Sequence, residues 1–202
     1  SGTMLATDGS GASLTALNAS ELGSGTVPTA RLGSGTASSS TVLYGDQTYK
    51  AEPGGNMKPA FFATATTSTN IGDATWTKLP FDSEVLDTDG CYDPTTNYRF
   101  TPTTSGNYYF YITVSLDKDG NVSSWMNGNV GLYKNGSIVF NGYTDNSTAG
   151  WGYAENLSIS AVVNMNGSSD YVEAYGYVNV NDSVGNFMAG AYAMFGGYKI
   201  IE

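Results

Sequence analysis

Residues Arg99 to Leu116 read R-F-T-P-T-T-S-G-N-Y-Y-F-Y-I-T-V-S-L. The stretch is a strand end, a turn rich in Pro, Thr, Ser and Gly, and then a segment that alternates on a period of two. Tyr108, Phe110, Ile112 and Val114 fall on one face; Tyr109, Tyr111, Thr113 and Ser115 fall on the other. The first face is wholly apolar and is expected in a core. The second is aromatic at one end and hydroxylic at the other, which suits a half-wet packing surface. Consecutive aromatics followed by β-branched residues are poor helix formers and good strand formers. The reading is a central strand of an all-β domain.

The rest of the chain agrees with that class. Only 13% of its 202 residues are charged, and Gly, Ser, Thr, Asn and Tyr are abundant, the profile of a short-stranded, loop-rich β protein. Toward the C-terminus, Pro59 to Thr67 reads as a first strand and Thr75 to Val85 as a short hairpin region. Val130 to Tyr133 and Ser137 to Asn141 flank Asn135-Gly136, the strongest hairpin signal present. Glu155 to Val163 alternates Leu157, Ile159, Ala161 and Val163 against polar positions. Tyr171 to Val180 sets a small face (Val172, Ala174, Gly176, Val178) against an aromatic one, and Ala191 to Ile201 is the last strand. Between them, Asp117 to Asn129, Gly142 to Tyr153 and Asn181 to Gly190 read as long loops. Short strands at this spacing predict a sandwich.

Residues 1–56 differ in texture from residues 57–202, with Pro53-Gly54-Gly55 marking the change. L-G-S-G-T occurs at Leu22 to Thr26 and again at Leu32 to Thr36. Leu5, Leu14, Leu17, Leu22, Val27 and Leu32 are too sparse to close a core within one chain. Such a segment either stays disordered or buries its leucines against copies of itself; the regular leucine punctuation favours the second. Glycine shows no three-residue period, which excludes a collagen stalk.

Phe100, Gly106, Tyr108 and Phe110 stand at the spacing F-x5-G-x-Y-x-F, which resembles the signature of the C1q-like globular head, a jelly-roll relative of tumour necrosis factor. Phe81, Asp87 and Tyr92 continue that resemblance upstream. Downstream it runs through L-Y-K-N-G (Leu132 to Gly136), D-Y-V-E-A-Y (Asp170 to Tyr175) and F-G-G-Y-K-I (Phe195 to Ile200). Two departures are a longer gap between Tyr92 and Phe100, and Ile112 where the family prefers an aromatic. The N-terminal segment, with its V-P-T-A-R-L and T-V-L-Y-G-D-Q-T-Y-K (Thr41 to Lys50), resembles the repeat segments of bacteriophage tail-fibre and head-fibre proteins. Together the resemblances imply an all-β jelly-roll β-sandwich, homotrimeric, preceded by an extended repeat-containing stalk.

Chemistry is sparse. The chain has no histidine, which removes Ser-His-Asp and Cys-His catalysis. Its one cysteine, Cys91, lies among acids in D-G-C-Y-D and reads as structural. Asp87, Asp89 and Asp93 are the one grouping with metal-like spacing: such a loop offers oxygens to calcium, or caps its own turns through the backbone. The second is favoured, and no cofactor is expected. No spacing singles out a carboxylate pair for a glycosidase, so the expectation is that the protein is not an enzyme. A net charge of −10 argues against nucleic acid as a partner. No apolar run approaches the roughly 18 residues of a membrane span, and no membrane insertion is expected.

The function expected is a fibre tip that binds a host-cell surface receptor, a glycan or a protein, while contacting other virion proteins through its N-terminal side. A virion decoration without a receptor is the alternative, and a depolymerase a more remote one. The protein would be assembled in a bacterial cytoplasm, or otherwise stand on an extracellular surface. Tyr109, Tyr111, Tyr175, Tyr177 and Tyr198 exceed what a two-sheet core can hide and are expected at the trimer interface. Counting alternate strand ends puts the three long loops at the far end of the head. Trp125, Asn127, Tyr143, Asp145, Trp151, Asn186 and Phe187 are therefore the candidate receptor-binding residues, since long loops are commonly functional.

Overall fold

A computed structural model describes residues 28–51, 57–118, 126–145, 154–180 and 184–200. The chain divides into two units, Ser1–Pro53 and Gly54–Glu202. In the first, a 3-10 turn at Thr29–Arg31 precedes two short antiparallel strands, β1 (Thr41–Leu43) and β2 (Tyr49–Ala51). Asp46 closes the turn between them, accepting the Thr48 backbone N–H at 3.1 Å and the Lys50 ammonium at 2.5 Å. Leu32, Val42 and Leu43 remain 41%, 40% and 43% exposed. The other leucines of the repeat, and Val27, lie outside the described residues.

The second unit is a sandwich of two sheets. Its strands are β3 (Ala60–Thr64), β4 (Thr69–Gly72), β5 (Thr77–Lys78), β6 (Ser83–Asp87), β7 (Tyr92–Asp93), β8 (Arg99–Phe100), β9 (Gly106–Lys118), β10 (Asn127–Lys134), β11 (Ser137–Asp145), β12 (Ala154–Met165), β13 (Val172–Asn179), β14 (Val184–Met188) and β15 (Met194–Lys199). One sheet runs β4-β14-β9-β15-β3-β6, with β12 along the free edge of β9; the other runs β11-β10-β13-β8-β7, with β5 on β13.

The alternating stretch is the centre of the larger sheet. β12 pairs with β9 from Gly106 to Asp117, while β15 and β14 share its other edge in succession. Tyr108, Phe110, Ile112, Val114 and Leu116 are buried, as their face demands. They meet Phe61 and Phe195 of their own sheet and Phe100, Leu132 and Val178 of the other. Phe61 stacks between Phe100 and Tyr92, with centroids at 4.5 and 4.9 Å. The two buried phenols are satisfied, Tyr108 donating to the Thr104 carbonyl at 2.7 Å and Tyr92 to that of Phe81 at 2.8 Å. Asn135 and Gly136 take φ of 52° and 78°, the positive pair that a tight two-residue hairpin requires.

The expected hairpin at Thr75 to Val85 does not form. β5 pairs with β13 and β6 with β3, so the two strands join opposite sheets. The segment between them carries Leu79 and Phe81, both buried, and crosses from one sheet to the other through the core. Long-range burial outweighed local pairing.

Candidate functional site

Two faces of the sandwich carry aromatic side chains away from the core. On the outside of the larger sheet, β9 holds Tyr109 and Tyr111 with rings 6.4 Å apart, and β15 brings Tyr198 to 5.6 Å from Tyr109. Val162 of β12 is the cross-strand neighbour of Tyr109 on its other side and is 58% exposed. The Tyr111 ring lies over Gly196, where a Cβ would collide with it, so the glycine lets the ring lie flat on the sheet. Partial burial, then the neighbouring Tyr198 and Tyr109, raise the pKa of the Tyr111 phenol.

The outside of the smaller sheet is built by a second period-two pattern. Along β10, Asn127, Asn129, Gly131 and Tyr133 alternate with Gly128, Val130 and Leu132; Val130 and Leu132 belong to the core, whereas Asn129 and Gly131 are buried on the opposite face, Gly131 beneath the Trp76 ring. Antiparallel pairing sets Tyr143 of β11 and Tyr177 of β13 on either side of Asn129, and places Asp145 beside Asn127. Trp76, just before β5, lies over Gly131, where a Cβ would stand 3.0 Å from its ring. The indole is 5.5 Å from Tyr177 and 5.8 Å from Tyr133, and Tyr133 stacks on Tyr175 at 4.0 Å. The result is an aromatic strip along the sheet, continued across Asn129 by Tyr143.

Polar groups punctuate this strip. Lys78 donates from Nζ to Glu173 Oε1 at 2.6 Å, and Glu173 is only 3% exposed. Burial, then the Glu173 carboxylate, pushes the Tyr175 phenol up to about 12. The Tyr143 phenol is likewise raised, by partial desolvation and by the charge of Asp145, to which it is hydrogen-bonded. The Arg99 guanidinium sits 4.5 Å over the Tyr171 ring. Asn129 is 8% exposed, and its side-chain amide has no hydrogen-bond partner among the described residues. No cavity is present among those residues, so this is an open shelf.

The expected receptor-binding set is redistributed. Trp125 and Trp151 lie outside the described residues. The ends of the three expected long loops are strand: β9 reaches Lys118, β10 starts at Asn127, β11 continues to Asp145, and β14 occupies Val184–Met188, while residues 119–125, 146–153 and 181–183 lie outside the described residues. Asn127, Tyr143 and Asp145 are therefore strand residues of the aromatic shelf. Asn186 lies in β14, and Phe187 is not an exposed loop aromatic: it is fully buried, 5.3 Å from Phe81. The five interface tyrosines also separate. Tyr109, Tyr111 and Tyr198 share the larger sheet, whereas Tyr175 and Tyr177 stand on the shelf of the smaller one. Trp76, Asn129 and Tyr133 were missed, although the alternation N-G-N-V-G-L-Y from Asn127 carries the signal for two of them.

The aspartates turn their oxygens to the backbone. Asp87 accepts N–H groups of Asp89 at 3.2 Å and Tyr92 at 2.7 Å. Asp93 accepts those of Thr95, Thr96 and Asn97, and the Thr96 and Thr95 amides foremost hold its carboxyl well below the usual range. Asp89 accepts the Thr88 hydroxyl at 2.6 Å. These are the contacts of turn-capping carboxylates, and among the described residues no three acidic or cysteine side chains converge.

In sequence, residues 60–200 match the C1q domain family. No curated protein matches the chain. Among solved structures, the fold is similar to Eiger TNF from S. frugiperda at a TM-score of 0.50 and 11% identity, over 70% of this chain and 91% of that one. Murine APRIL at pH 5.0 has a TM-score of 0.48 and 14% identity, over 70% of this chain and 98% of its own.

Proposed function

The chain belongs to the C1q domain family, and from that premise we propose that it is a non-enzymatic, homotrimeric binding head that attaches a bacteriophage fibre to the host-cell surface through a surface glycan. The observation that carries the trimer is the uncovered apolar surface. Tyr109, Tyr111 and Tyr198 stand together outside the larger sheet. Val162 and, on the edge strand β11, Ile138, Val139 and Phe140 are each 45% exposed or more. Patches of this kind on a soluble domain mark association surfaces. Setting the β11–β12 edge of one copy against the tyrosine face of the next makes a head-to-tail contact that closes as a ring. Each square ångström of apolar surface removed contributes about 25 cal/mol.

The fibre assignment is supported by the L-G-S-G-T repeat and by the exposed Leu32, Val42 and Leu43, which copies of the same segment would cover. Its N-terminal side would then meet other virion proteins. Sedimentation and attachment to a panel of intact bacteria test the reading together. A trimer that binds some members of the panel is expected. A stable monomer at micromolar concentration would sink the trimer, and failure to bind any cell would favour a virion decoration without a receptor.

A further inference from the structure

We infer that the outer face of the smaller sheet, centred on Asn129, is a binding shelf for a neutral pyranose glycan. This rests on the reading of the domain as a binding head, and it names a site and a ligand class for that head. The buried amide of Asn129 is the decisive group. A polar side chain removed from water without a partner costs free energy, and this one sits between two tyrosine rings on an otherwise open face. A ligand hydroxyl laid between Tyr143 and Tyr177 supplies the missing partner.

The surroundings select the ligand. Trp76, Tyr143 and Tyr177 present flat apolar surfaces against which the C–H face of a sugar ring can pack. Asn127 and Asp145 stand two residues further along the same β10–β11 ladder, placed to meet the hydroxyls at the ring's edge. The cation of the strip, Lys78, is engaged by Glu173, and Arg99 by the Tyr171 ring. Lys78 offsets the charge of Glu173, so the charge nearest Asn127 and Asn129 is that of Asp145, which disfavours sialylated, sulfated or phosphorylated chains at this end of the shelf. A purely apolar peptide would desolvate the amides without satisfying them. A neutral, hydroxyl-rich ring meets both demands. The shelf is open, so a single copy binds weakly, and a trimer would gain avidity on a repeating polysaccharide.

The test uses the full chain on an immobilised array of neutral gluco-, galacto-, manno- and N-acetylglucosamine oligosaccharides, with sialylated and sulfated members as controls. Tyr143→Ala and Asn129→Leu are compared with the parent, and the same three proteins are tested on intact bacteria. The expected result is binding to neutral members that falls at least tenfold in each variant. Asn129→Leu should melt at the parent's temperature or above it, because it removes an amide with no partner in the described protein. A merely structural Asn129 would show the reverse, a lower melting temperature with binding retained. Neutral-sugar binding that survives both substitutions, or signal confined to acidic members, overturns the shelf. Silence on every sugar also overturns it; attachment to bacteria then shows that the binding head stands and only its ligand class was wrong.

Discussion

Trp76 and Gly131 are matched by contact: the indole covers the glycine so closely that a Cβ there would lie 3.0 Å from its Cζ3 atom, and as near to Tyr133. Gly131→Ala should therefore lift the indole off the sheet. With Trp125 and Trp151 replaced by Phe, the remaining emission should shift to the red, and urea unfolding should show a loss of about 1–3 kcal/mol from overpacking. Unchanged emission would mean the indole does not rest on Gly131.

Phe187 and Tyr143 should respond in opposite ways. Phe187 is fully buried against Phe81, so Phe187→Ala is expected to cost about 3–5 kcal/mol. Tyr143 is 55% exposed, and Tyr143→Ala should stay within about 0.5 kcal/mol of the parent. Chemical denaturation of the two variants side by side measures this, and equal losses would contradict the burial.

The Lys78–Glu173 pair gives a test of context. Lys78→Met leaves the Glu173 carboxylate buried without its cation, and should cost about 1–3 kcal/mol. The double change Lys78→Met with Glu173→Met should recover most of that loss, since replacing both partners by apolar groups removes the desolvation penalty along with the attraction. A double variant as unstable as the single one would show that the pair itself is worth more than its burial costs.

Stability should fall at both ends of the pH scale. Asp93 is held below its ordinary pKa by turn amides, and Asp170 by Lys134 and Asn135 first. A depressed carboxylate contributes stability above its unfolded pKa of about 4 and loses it as pH falls further through the folded value. Tyr108 and Tyr175 are raised to about 12. Their contribution is complete below the unfolded value of about 10 and is lost as pH rises toward the folded one. Melting temperature against pH should show a plateau between these limits, and Asp93→Ala should flatten its acid edge.

Tyr109→Glu should separate assembly from folding. The side chain is partly exposed in one protomer, so the domain keeps its fold, while a charge placed between Val162 and Tyr198 opposes burial of that face. Sedimentation is expected to show folded monomers. A trimer that survives would put the contact elsewhere.

Where alternation was long, residue types alone were enough. Tyr108 to Leu116 could turn one apolar face into the core, and it does; Asn135-Gly136 could take the positive φ pair, and it does. The candidate site was less legible. Asn127 to Asn129 and Gly142 to Asp145 are rich in Asn and Gly, which read locally as loop, yet they pair with each other at one end of β10 and β11. Ladder hydrogen bonds, from β10 to β13 and from β11 to β10, outweigh their weak strand preference. Phe187 followed the same rule: in a stretch that looks like a loop, it found the core beside Phe81.

The sequence by itself determined the class of the fold, its central strand, its tight turn and the poverty of its catalytic chemistry. Each depends on the type of a residue and of its near neighbours. Only the tertiary structure decided which aromatics share a face. Tyr109 and Tyr177 look alike in the chain, but one stands on the larger sheet and the other on the smaller, because sheet membership is set by pairing across long separations. It also decided that Asn129 would lie buried between Tyr143 and Tyr177, since a side chain's polar partners are fixed by cross-strand register, to which local sequence is blind.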